Sequence, residues 1–277
     1  MLLSGKEAAA NEKLKLSNLV KSSDIHPVLA VLVVGDNPAS AAYVRGKQKD
    51  CDECGIICKT FKFDTNVTQD VLIATIADLN NSNIVDGIIV QLPLPDHIDA
   101  DALLNTISIE KDVDGFCTGN IGMLSINNPV FIPCTPLGII TLLKYYSIDV
   151  TSKDCVVIGR SNIVGKPMAM LLTNLGATVT LCHSKTKDLA KHTLNADLIV
   201  CAVGKPNFIT ADMVKDGAIV VDVGINRDAD GKMCGDVDFE NVCKKASAIT
   251  PVPGGVGLMT RAALLDNVLR AYYIRRS

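Results

Sequence analysis

Short, continuous apolar runs recur along the chain, each closed by glycine, proline or a polar residue. Residues 28–34 end at Gly35, 86–90 at Gln91 and two prolines, 156–158 at Gly159, 197–203 at Gly204-Lys-Pro206, and 217–223 at Gly224. Runs of this length without polar alternation mark strands buried on both faces, as in parallel sheets. Strands at 56–63 and 178–182, and a short one at the head of 248–257, complete the set. Helical patterns lie between them at 6–20, 69–80 and from 168 onward, with another opening at Pro38. A last helix, 259–273, carries Leu265, Leu269 and Tyr273 at four-residue steps. Thr135 and Pro136 are placed as N-cap and first residue of a helix running to about Tyr146. Alternation of strand and helix predicts an α/β fold.

Composition narrows the class. A chain of 277 residues, 48% hydrophobic, makes one large or two ordinary domains with a sizeable core. A net charge of −3 gives no electrostatic footprint for nucleic acid. The ten scattered cysteines form no disulfide framework, which points to a reducing, cytoplasmic setting. Residues 1–5 hold two leucines before a charged segment and read as neither signal peptide nor membrane span. Cys51-x-x-Cys54, with Cys58 nearby, lacks a second cysteine or histidine pair at zinc spacing, so no metal is expected. These cysteines read as small helix residues leading to a C-capping Gly55.

The stretch 154–167 reads as strand, tight turn and helix N-terminus, a ready anion site. Gly159 and Gly165 stand where the backbone must turn and approach a diphosphate or a neighbouring strand. Arg160 and Ser161 replace the middle of the usual G-x-G-x-x-G, and a ligand-free strand–helix turn is the other reading. The next strand ends in His183-Ser184, where an NAD site carries an acidic residue for the ribose. With Arg160 in the first turn, cation plus hydroxyl suits a 2′-phosphate, hence NADP; a surface histidine at a strand end is the alternative. In the first half, Tyr43 and Lys47 share one helical face. They fit either an aromatic platform beside a proton-transfer group or a solvated lysine beside a half-buried tyrosine. Gln91 is aimed into a cleft or satisfies loop backbone. Lys111-Asp-Val-Asp-Gly115 reads first as a turn former. Gly46, inside a helix, costs about 1 kcal/mol relative to alanine for no reason visible in the sequence.

Taken in order, these stretches resemble the bifunctional methylenetetrahydrofolate dehydrogenase/cyclohydrolase family over nearly the whole chain, 29–267. The resemblance rests on Val34-Gly-Asp-Asn-Pro-Ala-Ser40 with Tyr43-Val-Arg-Gly-Lys47, Val90-Gln-Leu-Pro-Leu-Pro95, Lys111-Asp-Val-Asp-Gly-Phe116 and Pro133-Cys-Thr-Pro136. Gly159-Arg-Ser-Asn-Ile-Val-Gly165, Cys182-His-Ser184 and Pro251-Val-Pro-Gly-Gly-Val-Gly257 complete it. It implies two α/β domains joined by long helices, the second a Rossmann-type NADP-binding domain, with the active site in the interdomain cleft. Residues 1–140, joined by the C-terminal helix 258–277, would form the folate-binding catalytic domain, and 141–257 the cofactor domain. Lys47 would be the catalytic lysine, Tyr43 the ring stacked on the folate, Gln91 the amide positioning Lys47, and Asp114 the carboxylate holding the pterin. Val90 and Leu92 would flank the substrate, and Pro251, Val252, Pro253, Gly254 and Gly255 would close over it. Gly159, Arg160, Ser161, Ile163, His183, Ser184 and Ile225 would hold NADP. The implied partners are tetrahydrofolate one-carbon derivatives and a second copy of the chain, with neither nucleic acid nor membrane. Leu258, where the family typically has proline, and Gly46, where a larger residue is usual, depart from the pattern. An amino-acid or hydroxy-acid dehydrogenase, or a non-catalytic NADP-binding regulator, would explain the second half but leave Tyr43, Lys47, Gln91 and Asp114 as coincidence.

Overall fold

The computed structural model describes residues 1–228 and 230–277. The side chains of residues 38–40, part of the motif at 34–40, lie outside the described residues. The chain divides into two compact units, Asn11–Cys134 with Arg261–Ser277, and Met1–Ala10 with Thr135–Thr260.

The chain opens with α1 (Gly5–Ser22), β1 (Val28–Val34), α2 (Pro38–Cys54), β2 (Ile57–Phe63), α3 (Gln69–Asn81), β3 (Gly87–Val90), α4 (Ala100–Leu104) and α5 (Thr118–Ser125). Its three strands form a parallel sheet in the order β2-β1-β3. β1 is central and buried along its whole length, which is why its sequence is unbroken apolar. β2, at the edge, mixes exposed and partly covered positions. Ala30, Leu32 and Val34 pack with Leu72, Ile76 and Leu79 of α3. Gly55 (φ +76°) ends α2, with Ile56 N donating to Cys51 O at 2.9 Å and Gly55 N to Asp52 O at 3.3 Å. That pairing satisfies carbonyls the last helical turn leaves open. Lys111 closes α3 in another way, its buried Nζ donating to the carbonyls of Leu79, Asn80 and Ser82 at 2.7–2.8 Å.

The chain continues through α6 (Cys134–Tyr145), β4 (Asp154–Ile158), α7 (Gly165–Asn174), β5 (Thr178–Cys182), α8 (Leu189–Thr193), β6 (Leu198–Cys201) and β7 (Ile219–Asp222). A two-residue ladder of β8 (Asn226–Arg227) and β9 (Met233–Cys234), α9 (Phe239–Val242), β10 (Ala248–Ile249) and α10 (Val256–Ile274) complete it. The five strands β10-β7-β6-β4-β5 form an all-parallel sheet. The chain goes out from β4 to β5, then returns across β4 to β6, so β4 is the switch point where such sheets bind ligands. The first residues add to the opposite edge. Leu3 N donates to Ile249 O at 2.8 Å, and Ile249 N to Met1 O at 3.0 Å.

Three helices start earlier than their sequences predict. α6 begins at Cys134, so Thr135 is helical rather than capping, and its Oγ1 lies 3.1 Å from Thr260 Oγ1. Pro136 and Pro167 sit third in α6 and α7, where the absent N–H would have no helical partner. α10 begins at Val256 despite neighbouring glycines, because Val256 and Met259 bury their side chains in the first turn. No helix among the described residues is long and apolar enough to cross a membrane.

Candidate active site

Parallel pairing of β1 with β3 brings their C-terminal ends to one edge of the smaller sheet. α2 departs from one end and Gln91 follows the other. The helical repeat sets Tyr43 and Lys47 together, with Lys47 Nζ 5.0 Å from the tyrosine ring centroid. Lys47 is only 6% exposed, and its Nζ donates to Gln91 Oε1 at 3.2 Å. Gln91 is held in turn. Its backbone N–H donates to Leu32 O at 2.8 Å and its Nε2 to Leu92 O at 2.7 Å, so the amide oxygen faces the lysine. Burial pushes the Asp114 carboxyl above the ordinary range, and Lys47 and the Cys134 thiol pull it back. Burial also raises the Tyr43 hydroxyl, with Asp114 adding to the effect. Tyr43, Lys47, Gln91 and Asp114 thus share one electrostatic neighbourhood.

The two carboxylates of the Asp-x-Asp-Gly run have separate fates. Asp112 accepts Cys117 N and Asn120 Nδ2, both at 2.8 Å, and orders the start of α5. Asp114 instead feels the charge of Lys47. Gly46 also acquires a reason: a Cβ there would overlap the Arg261 guanidinium, which lies across α2. Arg261 Nε pairs with Asp50 at 3.0 Å, and Lys13 Nζ reaches the same buried carboxylate at 2.9 Å. Asp50 and Arg261 escaped the sequence reading, because nothing local links a helix residue to one so distant along the chain.

In the other unit, β4 ends at a turn built on close approach. A Cβ at Gly159 (φ +116°) would overlap Ala202 O, and one at Gly165 would overlap Gly159 O. Ser161 Oγ accepts Val164 N at 3.2 Å and Gly165 N at 3.3 Å, ordering the entry to α7. Arg160, Ser161 and Ile163 are exposed. His183 and Ser184 follow β5 directly, with His183 Nδ1 accepting Lys185 N at 3.1 Å. A cavity of about 250 Å³ opens here, its polar wall formed by Arg160, His183, Ser184 and Lys205. Among its described lining residues there is no carboxylate, and Leu189 and Val203 supply apolar surface. Two cations, an imidazole and a hydroxyl beside apolar walls suit a phosphorylated nucleotide such as NADP.

Lys205 was missed by sequence, and a buried carboxylate fixes its loop. Asp236 accepts Val203 N (2.6 Å), Gly204 N (3.0 Å), Lys205 N (2.9 Å) and Asn226 Nδ2 (2.8 Å). Ile163 and Ile225 are outside the cavity lining, Ile225 being 63% exposed after β7. Val90 and Leu92 flank Gln91 in the first unit, whereas Pro251, Val252, Pro253, Gly254 and Gly255 belong to the second, just before α10.

The fold and these two sites define an α/β nucleotide-dependent enzyme with a lysine-centred site in one unit and a switch-point cavity at the cofactor-binding sheet in the other. Comparison with known proteins is specific. Residues 3–114 match the family model of the tetrahydrofolate dehydrogenase/cyclohydrolase catalytic domain, and 133–276 that of its NAD(P)-binding domain. This chain belongs to the tetrahydrofolate dehydrogenase/cyclohydrolase family. It is 55% identical over 274 residues to the bifunctional protein FolD of Campylobacter jejuni, covering 98% of this chain and 97% of that one. A crystal structure of the Campylobacter jejuni bifunctional enzyme superposes with a TM-score of 0.96 at 54% identity, covering 99% of both chains. The Trypanosoma brucei dehydrogenase-cyclohydrolase, solved with NADP and inhibitor, gives 0.93 at 36% identity, covering 99% of this chain and 97% of that one.

Proposed function

We propose that this protein oxidises 5,10-methylenetetrahydrofolate to the 5,10-methenyl compound with NADP, and hydrolyses that product to 10-formyltetrahydrofolate. The observation that carries it is the buried Lys47, held by Gln91 beside Tyr43 and Asp114, in a chain of this family. NADP, when bound, supplies the hydride acceptor for the first reaction. Arg160, Ser184 and His183 hold its phosphorylated ribose, and the Gly159 turn lets backbone approach it. The remaining chemistry belongs to the protein. Tyr43 offers a flat apolar face to the substrate's ring system, and Asp114 accepts hydrogen bonds from pterin N–H groups. Water attack on the methenyl carbon needs a group that takes a proton, and ring opening needs one returned to nitrogen. Lys47 Nζ performs both transfers, and Gln91 keeps it in place between them. Residues 251–255 enclose the substrate.

Folate chemistry is assigned to residues 1–140 with 258–277 and cofactor binding to 141–257. The working form is a cytoplasmic homodimer that binds no nucleic acid, readings supported by the family resemblance and the net charge of −3. Lys47→Met is the test. It is expected to lower cyclohydrolase turnover at least a hundredfold with an unchanged circular-dichroism spectrum. Wild-type hydrolysis of the methenyl compound by the variant would remove Lys47 from the reaction.

A further inference from the structure

The Cys51-x-x-Cys54 pair has no place in the folate or cofactor chemistry, and the fold does not keep it as a pair. Cys54 turns to α1, its Sγ donating to Lys13 O at 3.5 Å. Cys51, fully buried, instead donates its thiol hydrogen to the sulfur of Cys58. Two features of the backbone produce this. The Gly55 turn reverses the chain at the end of α2, and Cys58 is the second residue of β2. In β1, Ala30, Leu32 and Val34 face α3, so the alternate positions face the other side of the sheet. Cys58 is paired in register with Leu29, one of those alternate positions. Cys58 is also partly exposed on an edge strand, so a small oxidant can reach it while Cys51 stays covered.

We propose that Cys51 and Cys58 are a redox-modification site that closes to a reversible disulfide when the protein meets hydrogen peroxide. The Cys58 sulfur attacks the peroxide: an S–O bond forms, the O–O bond breaks, and the departing hydroxide leaves as water after taking a proton. The Cys51 sulfur then displaces the hydroxyl from the Cys58 sulfenic acid, its own proton leaving in a second water. Two thiols give up two electrons and the peroxide takes them. The local field favours Cys58 as attacking group. The hydrogen bond from Cys51 holds its thiol below the ordinary range, Thr60 and Lys47 add to this, and burial and Asp52 oppose it. Hydrogen bonding to Cys58, with burial, holds Cys51 above it, as suits the resolving thiol. The site is independent of the folate reading.

The test is hydrogen peroxide titration of the full chain, read by intact mass and by fragmentation after cleavage at Asp52 and Glu53. The expected result is loss of two hydrogens, a Cys51–Cys58 crosslink, and full reversal by dithiothreitol. Cys54→Ser is expected to keep the crosslink and Cys58→Ser to lose it. A Cys51–Cys54 crosslink, or oxidation confined to exposed Cys243, would overturn the proposal, as would irreversible acid on Cys58 with Cys51 still a free thiol. These readings come from the wild-type chain, so a variant that misfolds leaves the decision intact.

Discussion

A lysine four residues after a tyrosine is common on solvated helix faces; Lys47 differs in where its ammonium goes. It is buried against an amide that two further hydrogen bonds hold in one orientation. The positions of Tyr43, Lys47 and Gln91 were legible because helix period and strand ends are local properties of sequence. The Asp50–Arg261 ion pair was not, since it depends on α10 packing beside α2 within one unit. Gly46 shows the same limit, being a helix defect in sequence and room for Arg261 in structure. In the cofactor cavity Arg160 was legible from its turn, whereas Lys205 required the Asp236 staple to be seen. Arg160→Ala is expected to weaken NADP binding by roughly tenfold to a hundredfold, about 1.5–3 kcal/mol for a charged hydrogen bond. NAD affinity should change by no more than about twofold. Equal losses for both nucleotides, measured by calorimetry, would remove the 2′-phosphate argument.

Among the elements, the long strands and helices were read correctly, while α4, α5, α8 and α9 left too few residues to show a period. Helix starts were misplaced where proline or glycine suggested a loop and buried first turns decided otherwise. The loops that close the larger sheet carry a titration of their own. Asp222, at the end of β7, accepts Gly224 N, Asp236 N and Val237 N, each at 2.9 Å. Burial nevertheless pushes its carboxyl up to about 6, the three amides opposing and Asp236 adding to the rise. The folded chain therefore holds a proton here that the unfolded chain has released between about pH 4 and about pH 6. Asp222 favours folding at pH 4 and loses that contribution, about 2–3 kcal/mol, as pH rises through 6. Asp222→Asn does not titrate, so urea unfolding should show its stability improving against wild type by that amount from about pH 4 to pH 7. A difference independent of pH would contradict this.

At the scale of the whole molecule, the α/β class was legible because strand–helix alternation runs through the entire chain, whereas its division in two came from the family resemblance. The joining of residues 1–3 to the edge at β10 was not legible, since one bridge and three hydrogen bonds leave no periodic trace. The same chain carries a lysine site and an NADP-suited cavity, and the family to which it belongs couples an oxidation to a hydrolysis. The most direct measurement follows both steps at once: purified protein with 5,10-methylenetetrahydrofolate and NADP or NAD, monitoring the methenyl and 10-formyl products. NADP-dependent turnover through to 10-formyltetrahydrofolate is the expected result. Methenyl product that disappears no faster than in buffer would contradict the hydrolytic role of Lys47, and absence of turnover with either nucleotide would contradict the enzyme assignment itself.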